Sequence, residues 1–161
     1  MNVSIRNMVG ADIEPLAKFH TDEEAAWLSG GGAISSDTAT HVARFARLLD
    51  DESGALLLRT IIVDGEVAGY IATFVRENAR EISYWLGRQF WGKGIATHAL
   101  KDFLLQVKEI FPDQSIYARV VEGNIGSAKV LEKTGFRGLR EEQFFSEARQ
   151  GEVSETLYIL K

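Results

Sequence analysis

The sequence predicts an α/β protein with a mixed, mostly antiparallel sheet of about six to seven strands flanked by about four helices. Three observations carry that expectation. Two apolar runs, residues 55–63 and 67–75, meet at Asp64-Gly65, a dipeptide that favours a two-residue hairpin turn. Residues 94–111 repeat apolar side chains at helical spacing and stop at Pro112. Strand and helix patterns then alternate, which calls for a crossover between parallel strands. By length the 161 residues make one ordinary domain, expected to span 1–161 with no repeat or linker.

Taken in order, residues 3–6 read as a short strand. Residues 12–20 read as a short helix with Ile13, Leu16 and Ala17 on one face. Ser29-Gly30-Gly31-Gly32 is a flexible connection. Asp37 stands where it can cap a helix carrying Val42, Phe45, Ala46 and Leu49, which Ser53-Gly54 ends. The hairpin follows, and a turn at Glu77-Asn78 leads into a further strand over 81–86. In the long helix Ala96, Ala99, Leu100, Phe103, Leu104, Val107, Ile110 and Phe111 form the buried stripe. Residues 115–121 are a strand, and Asn124 caps a helix running to Thr134 that Gly135 terminates. Residues 136–145 and 153–160 close the sheet as a strand pair. The expected order is β-α-α-β-β-β-α-β-α-β-β.

Hydrophobic residues at 45% and charged residues at 25% are a globular composition, not a disordered one. No apolar run approaches the roughly 20 residues of a membrane span, and residues 1–6 lack the pattern of a secretion signal. The expectation is a cytoplasmic protein without a membrane partner, as a monomer or homodimer. Without cysteine there is no disulfide framework, no thiolate zinc site and no cysteinyl acyl-enzyme. A formal net charge of −5 argues against nucleic acid and suits cationic partners, amines among them.

The informative stretch is Tyr84-Trp85-Leu86-Gly87-Arg88-Gln89-Phe90-Trp91-Gly92-Lys93-Gly94-Ile95-Ala96-Thr97. A strand stops, small residues crowd a turn, and a long helix begins at once. The first amides of that helix lack partners within it, and its dipole makes that end positive. Gly92, Gly94 and Ala96 carry little or no side chain, so a diphosphate can reach bare backbone. A plain strand–helix turn that needs glycine for its dihedral angles would look the same.

Trp91-Gly92-Lys93-Gly94-Ile95-Ala96-Thr97 resembles motif A of the GNAT superfamily of N-acetyltransferases. It is most similar to the branch of the ribosomal-protein N-terminal acetyltransferases (RimJ/RimL-like), where Tyr-Trp-Leu-Gly precedes Trp-Gly-Lys-Gly in this way. A second block, residues 124–136 with Asn124, Ser127, Gly135 and Phe136, resembles the same branch. Trp91 departs from the superfamily's general Gln/Arg-x-x-Gly-x-Gly/Ala turn but suits the branch. The resemblance implies an enzyme that uses acetyl-CoA to acetylate a primary amine, a protein N-terminus or a small molecule, with no metal. It implies that the strand before the turn and the strand after the long helix splay apart at a bulge. The pantetheine arm would pair with main chain near Tyr84, Trp85 and Leu86, and the diphosphate would sit on the amides of Trp91, Gly92, Lys93, Gly94, Ile95 and Ala96, beside Thr97. Arg88, Lys93 and Lys129 would neighbour phosphate, and Asn124 would be both cap and coenzyme ligand.

Acetyl transfer to an amine needs a group to take the ammonium proton and a donor for the departing thiolate. Direct attack suffices, so no protein nucleophile is needed. In the superfamily a tyrosine seven residues after the asparagine often donates the proton; here that position is Leu131. In the branch a serine three residues after it takes the role, which places Ser127 there, unless Ser127 and Asn124 merely satisfy helix amides. Glu81 and Glu142 are rival bases, and a water chain could serve with neither. Counted back from Leu86, the superfamily's acidic position falls on Arg80 unless a bulge shifts the register, and one residue of slip reverses the face. His20, His41 and His98 show no metal-ligand spacing.

Two other readings stay open. Gly92-x-Gly94-x-x-Thr97 resembles a dinucleotide-binding turn, though an antiparallel hairpin precedes it. The same fold could also bind the coenzyme without catalysis.

Overall fold

A computed structural model describes residues 1–30 and 37–161. β1 (Val3–Asn7) leads through a short 3-10 turn (Gly10–Asp12) into α1 (Ile13–Phe19), followed by α2 (Glu23–Ser29) and α3 (Thr38–Leu49). β2 (Leu57–Val63), β3 (Glu66–Arg76) and β4 (Ala79–Leu86) form the meander, and a 3-10 turn (Arg88–Phe90) leads to α4 (Ile95–Ile110). β5 (Ile116–Val121), α5 (Ile125–Lys133), β6 (Arg137–Ser146) and β7 (Gly151–Leu160) complete the chain. The seven strands lie in the order β1-β2-β3-β4-β5-β7-β6. β4 with β5 is parallel and every other pairing is antiparallel. That arrangement removes the dinucleotide-binding alternative, which needs a parallel sheet around its glycine turn.

Asp64 and Gly65, with φ of 48° and 84°, make the β2–β3 turn, and Glu77 and Asn78 at 51° and 64° make the β3–β4 turn. Both are the doubly left-handed turns whose twist matches a hairpin. Helices cover both faces of the sheet. Phe103, Leu100, Val107 and Leu131 of α4 and α5 pack with Ile61, Ile71, Ile82 and Ile116 on one face. Leu16, Ala17 and Phe45 of α1 and α3 pack with Leu58, Tyr70 and Ala72 on the other.

Three expectations are corrected. α2 is an additional helix; Asp22 caps it through the amides of Glu24 and Ala25, and it buries Ala25 and Ala26. Its seven residues are too short to show periodicity, and Arg88 fixes its start from outside by pairing with Asp22. The helix expected over 12–20 runs over Ile13–Phe19, after a 3-10 turn that ends at Asp12, which is 2% exposed and bonded to Arg6 and Thr60. Ile110 stands 49% exposed, outside the stripe assigned to it. Of the expected glycine connection, Gly31 and Gly32 lie outside the described residues.

One feature of the sheet positions the site. β4 and β5 pair at Arg80↔Ile116 and Glu81↔Tyr117, and then separate. β4 meanwhile keeps unbroken register with β3 from Arg76↔Ala79 to Gly69↔Leu86. The split therefore opens by divergence of β5, with no shift of β4 against β3. Among the described residues no helix is long and apolar enough to cross a membrane.

Candidate active site

The separated strands open a crevice of about 550 Å³. Tyr84, Trp85, Leu86, Trp91, Gly92, Gly94, Ile95, Ala96 and Thr97 form one wall; Asn124, Ser127 and Lys129 form the other. Most of the expected coenzyme residues thus meet at one place. Two do not line it. Arg88 is held by carboxylates, its Nε 2.8 Å from Asp22 Oδ2 and its Nη1 2.9 Å from Glu24 Oε2. Lys93 is exposed in the turn. Lys133, one helical turn beyond Lys129, lines the crevice in their place, and the four-residue spacing of these lysines was visible in the sequence.

The turn's glycines serve the dihedral angles and the approach together. Gly92 and Gly94 take φ of 72° and 78°, and a Cβ on either would meet nothing within 4 Å. Gly94 is the N-cap of α4 and no side chain caps that helix. The first intrahelical bond into this end is His98 N to Gly94 O at 3.1 Å, leaving the amides of Ile95, Ala96 and Thr97 directed at the crevice. Bare backbone, orphan amides and the positive end of a helix of 16 residues fit a diphosphate.

The strand's parity decides which main-chain groups face the opening. Gly87 donates to Ala68 O at 2.9 Å, and Trp85 O lies so close to Gly69 that a Cβ there would come within 2.0 Å of it. Gly87, Trp85 and Ser83 therefore spend their amides and carbonyls on β3, while those of Leu86 and Tyr84 point to the side β5 has left. Trp91 Nε1 already donates to Leu86 O at 3.0 Å. The main-chain groups that face the opening are therefore those of Tyr84 and the Leu86 amide, not those of Trp85.

A second cavity of about 610 Å³ lies on the α1–α3 side. It shares Ser29, Tyr84, Trp85, Asn124 and Ser127 with the first, so the two spaces meet at these residues. Asn124 Oδ1 accepts from the Ser127 amide at 3.3 Å, the capping bond expected of it. Among the described residues the Ser127 hydroxyl makes no hydrogen bond. Tyr84 Oη donates to Ser127 O at 3.2 Å, and burial raises this phenol to about 12, so it stays protonated.

Strand alternation separates Arg80 from Glu81. Arg80 lies on the α4 face over the Phe111 ring, 3.5 Å from its centroid. Glu81, 4% exposed, faces the other way and meets Arg119 at 3.2 Å. Arg119 also holds Glu142 at 2.6 Å and Glu155 at 3.1 Å. Both rival bases therefore share one guanidinium, which sequence reasoning missed because its three partners lie on three other strands. Hydrogen bonds from Arg119 and Arg140 keep Glu142 below the usual carboxylate range, whereas Arg119, despite burial, is pushed up by its three carboxylates. His20 stacks on Trp85, centroids 4.0 Å apart, and its Nε2 lies 3.2 Å from both Tyr70 Oη and Arg44 Nη2. Burial first, then Arg44 and His41, lower it to about 3 and keep it neutral.

A split sheet with a bare helix start at its mouth makes this an acyl-CoA-dependent N-acetyltransferase. The acetyltransferase (GNAT) domain family matches residues 2–137, and the chain belongs to that family. No curated protein matches the sequence. Among solved structures, the apo form of RimL, a ribosomal alpha-N-protein acetyltransferase, aligns with TM-score 0.82 at 16% identity, over 99% of this chain and 90% of that one. The acetyltransferase yncA from Salmonella typhimurium, with its cofactor acetyl-CoA, aligns at 0.76 and 16%, over 99% and 93%. AAC(6')-Ib with ribostamycin and coenzyme A aligns at 0.72 and 18%, over 98% and 93%. At these identities the likeness is one of fold.

Proposed function

We propose that this chain transfers the acetyl group of acetyl-CoA directly to a primary amine, without a covalent acyl-enzyme. The observation that carries this is the junction of two cavities at Tyr84, Trp85, Asn124 and Ser127, with the uncapped start of α4 at the outer end of one of them. Acetyl-CoA supplies the acetyl group as a thioester with a thiol to release. The amides of Ile95, Ala96 and Thr97, with Lys129 and Lys133, hold the diphosphate, and Tyr84 and Leu86 offer main-chain groups to the pantetheine arm. The acceptor reaches the junction through the second cavity.

As the amine's C–N bond forms and the C–S bond breaks, the Ser127 hydroxyl gives a proton to the sulfur and is replenished, through water, by the proton that the nitrogen sheds on becoming an amide. The ammonium proton leaves towards the Glu81–Arg119–Glu142 group, carried by water. Glu142, held below the usual carboxylate range by Arg119 and Arg140, is a weak base and relays a proton better than it retains one. The test is release of free thiol from acetyl-CoA, measured with N-terminal peptides, polyamines, aminoglycosides and amino acids. Release that depends on an amine and yields the N-acetyl product is the expected result. Coenzyme binding without release from any amine would leave a sensor and end the proposal.

A further inference from the structure

The acceptor-side cavity, like the coenzyme crevice with Lys129 and Lys133, is lined by cationic side chains in an acidic chain. The chain carries a formal net charge of −5, yet the charged side chains lining this cavity, among the described residues, are Arg44, Arg47 and Arg119. Three carboxylates satisfy Arg119, at 3.2, 2.6 and 3.1 Å. Arg44 and Arg47 have no carboxylate within 4.0 Å among the described residues, and residues 31–36 (Gly-Gly-Ala-Ile-Ser-Ser) contain none. These two guanidiniums are therefore uncompensated.

Helical spacing puts them there. α3 buries Phe45 against the sheet, with Val42, Leu48 and Leu49 packed beside it. Thr40, Arg44 and Arg47, at spacings of four and three, form the adjoining stripe and line the cavity. Arg44 is further oriented by His20 Nε2 at 3.2 Å and by the Phe45 ring, 4.8 Å from centroid to guanidinium carbon. Arginine keeps its charge at any working pH and matches a carboxylate with two parallel donors. The stacked His20 and Trp85 line the same cavity, and Trp85 also lines the first. On the strand side of the cavity, Glu81, Glu142 and Glu155 exceed Arg119 and Arg140 by one charge. The cavity is thus positive along α3, with one net negative charge in the ion-pair network around Arg119.

We propose that the acceptor is an amine whose own molecule carries an anionic group, a carboxylate above all, which Arg44 and Arg47 bind while the amine lies at Ser127. This rests on the acetyl-transfer reading and names its acceptor class. Free amino acids and the acidic N-terminal residues of a peptide share that chemistry.

The experiment measures thiol release with matched acceptors: amino acids against their decarboxylated amines, and tetrapeptides with Asp-Glu after the first residue against the same peptides with Asn-Gln. The anionic member of a pair is expected to have kcat/KM higher by at least about tenfold, mostly through KM. Preference in the first set or in the second tells a small acceptor from a peptide. Arg47→Gln, at an exposed position, should abolish the preference with acetyl-CoA affinity unchanged, and Arg47→Glu should reverse it. Arg44→Gln serves as a second variant, checked for fold by its melting curve. Equal use of both members, or a preference that survives Arg47→Glu and Arg44→Gln, overturns the proposal. If no amine supports turnover, acetyl transfer fails instead, and calorimetry of the same pairs on the coenzyme-loaded protein decides this point separately. Tighter binding of the anionic member then upholds the anion site, and equal or absent binding refutes it.

Discussion

At the scale of single residues, Ser127 and the two glutamates make separable predictions. A donor that acts on the departing thiolate contributes in the transition state and not in the ground state. Ser127→Ala should therefore lower kcat by about a hundredfold while leaving the Kd for acetyl-CoA close to the parent's. The Asn124 cap uses the backbone amide of residue 127, so the substitution spares it. An equal fall in affinity and turnover would make Ser127 a binding residue. Glu81→Gln should keep fold and coenzyme affinity and suppress turnover near neutrality. Rate should return in part as pH rises, because more acceptor then arrives deprotonated. Glu142→Gln is the internal comparison, since both carboxylates share Arg119. A pH–rate profile for Glu81→Gln that overlays the parent's removes that residue from the relay.

At the scale of elements, the crevice is built by two glycine-bearing helix starts facing one another. Gly94→Val should weaken acetyl-CoA binding by at least about tenfold, or 1.4 kcal/mol, because a side chain would fill the diphosphate's place. Its φ of 78° adds backbone strain, which on its own costs stability. Gly126 separates the two effects. It lies in α5, lines the same crevice, takes no positive φ and has nothing within 4 Å of a Cβ. Gly126→Val should leave Tm unchanged or slightly raised, as loss of a helical glycine stabilises, while coenzyme affinity measured by calorimetry falls. Unaltered affinity in both variants would move the diphosphate away from this crevice.

At the scale of the whole molecule, stability should report the buried histidine. His20 falls from an ordinary 6.5 to about 3 on folding, so the unfolded chain takes up its proton first as pH drops. The contribution is complete above 6.5 and is lost as pH falls towards 3, by at most about 1.4 kcal/mol per pH unit. Burial by itself would raise Asp12, but Arg6, the Val9 amide and Thr60 outweigh it and hold this carboxyl at about 2. Its contribution is therefore lost only below about 3.8, and that of Glu142 only below 4.5, leaving about pH 5 to 6.5 to His20. Urea unfolding at pH 6.5 and pH 5 should differ by up to about 2 kcal/mol, and His20→Gln should remove most of that difference. A parent protein equally stable at both pH values would show that His20 is not held neutral.

What the sequence determined by itself was local and periodic. Asp64-Gly65 and Asn78 marked two hairpin turns because Gly, Asn and Asp accept left-handed dihedrals more readily than other residues. The spacing from Ala99 to Val107 set α4, and Gly92 and Gly94 marked the place where backbone would be bare. Tertiary structure decided whatever depends on partners distant in the chain. α2 exists because Arg88 holds its cap at Asp22 from 66 residues away. Arg88 is thereby removed from the coenzyme, and Lys133 stands beside Lys129 instead. Glu81 rather than Arg80 faces the acceptor side because β4 holds its register with β3 while β5 diverges, and alternation then assigns every face. The grouping of Glu81, Glu142 and Glu155 on Arg119 joins four strands whose order in space differs from their order in the chain, and that order follows from which faces must be buried together.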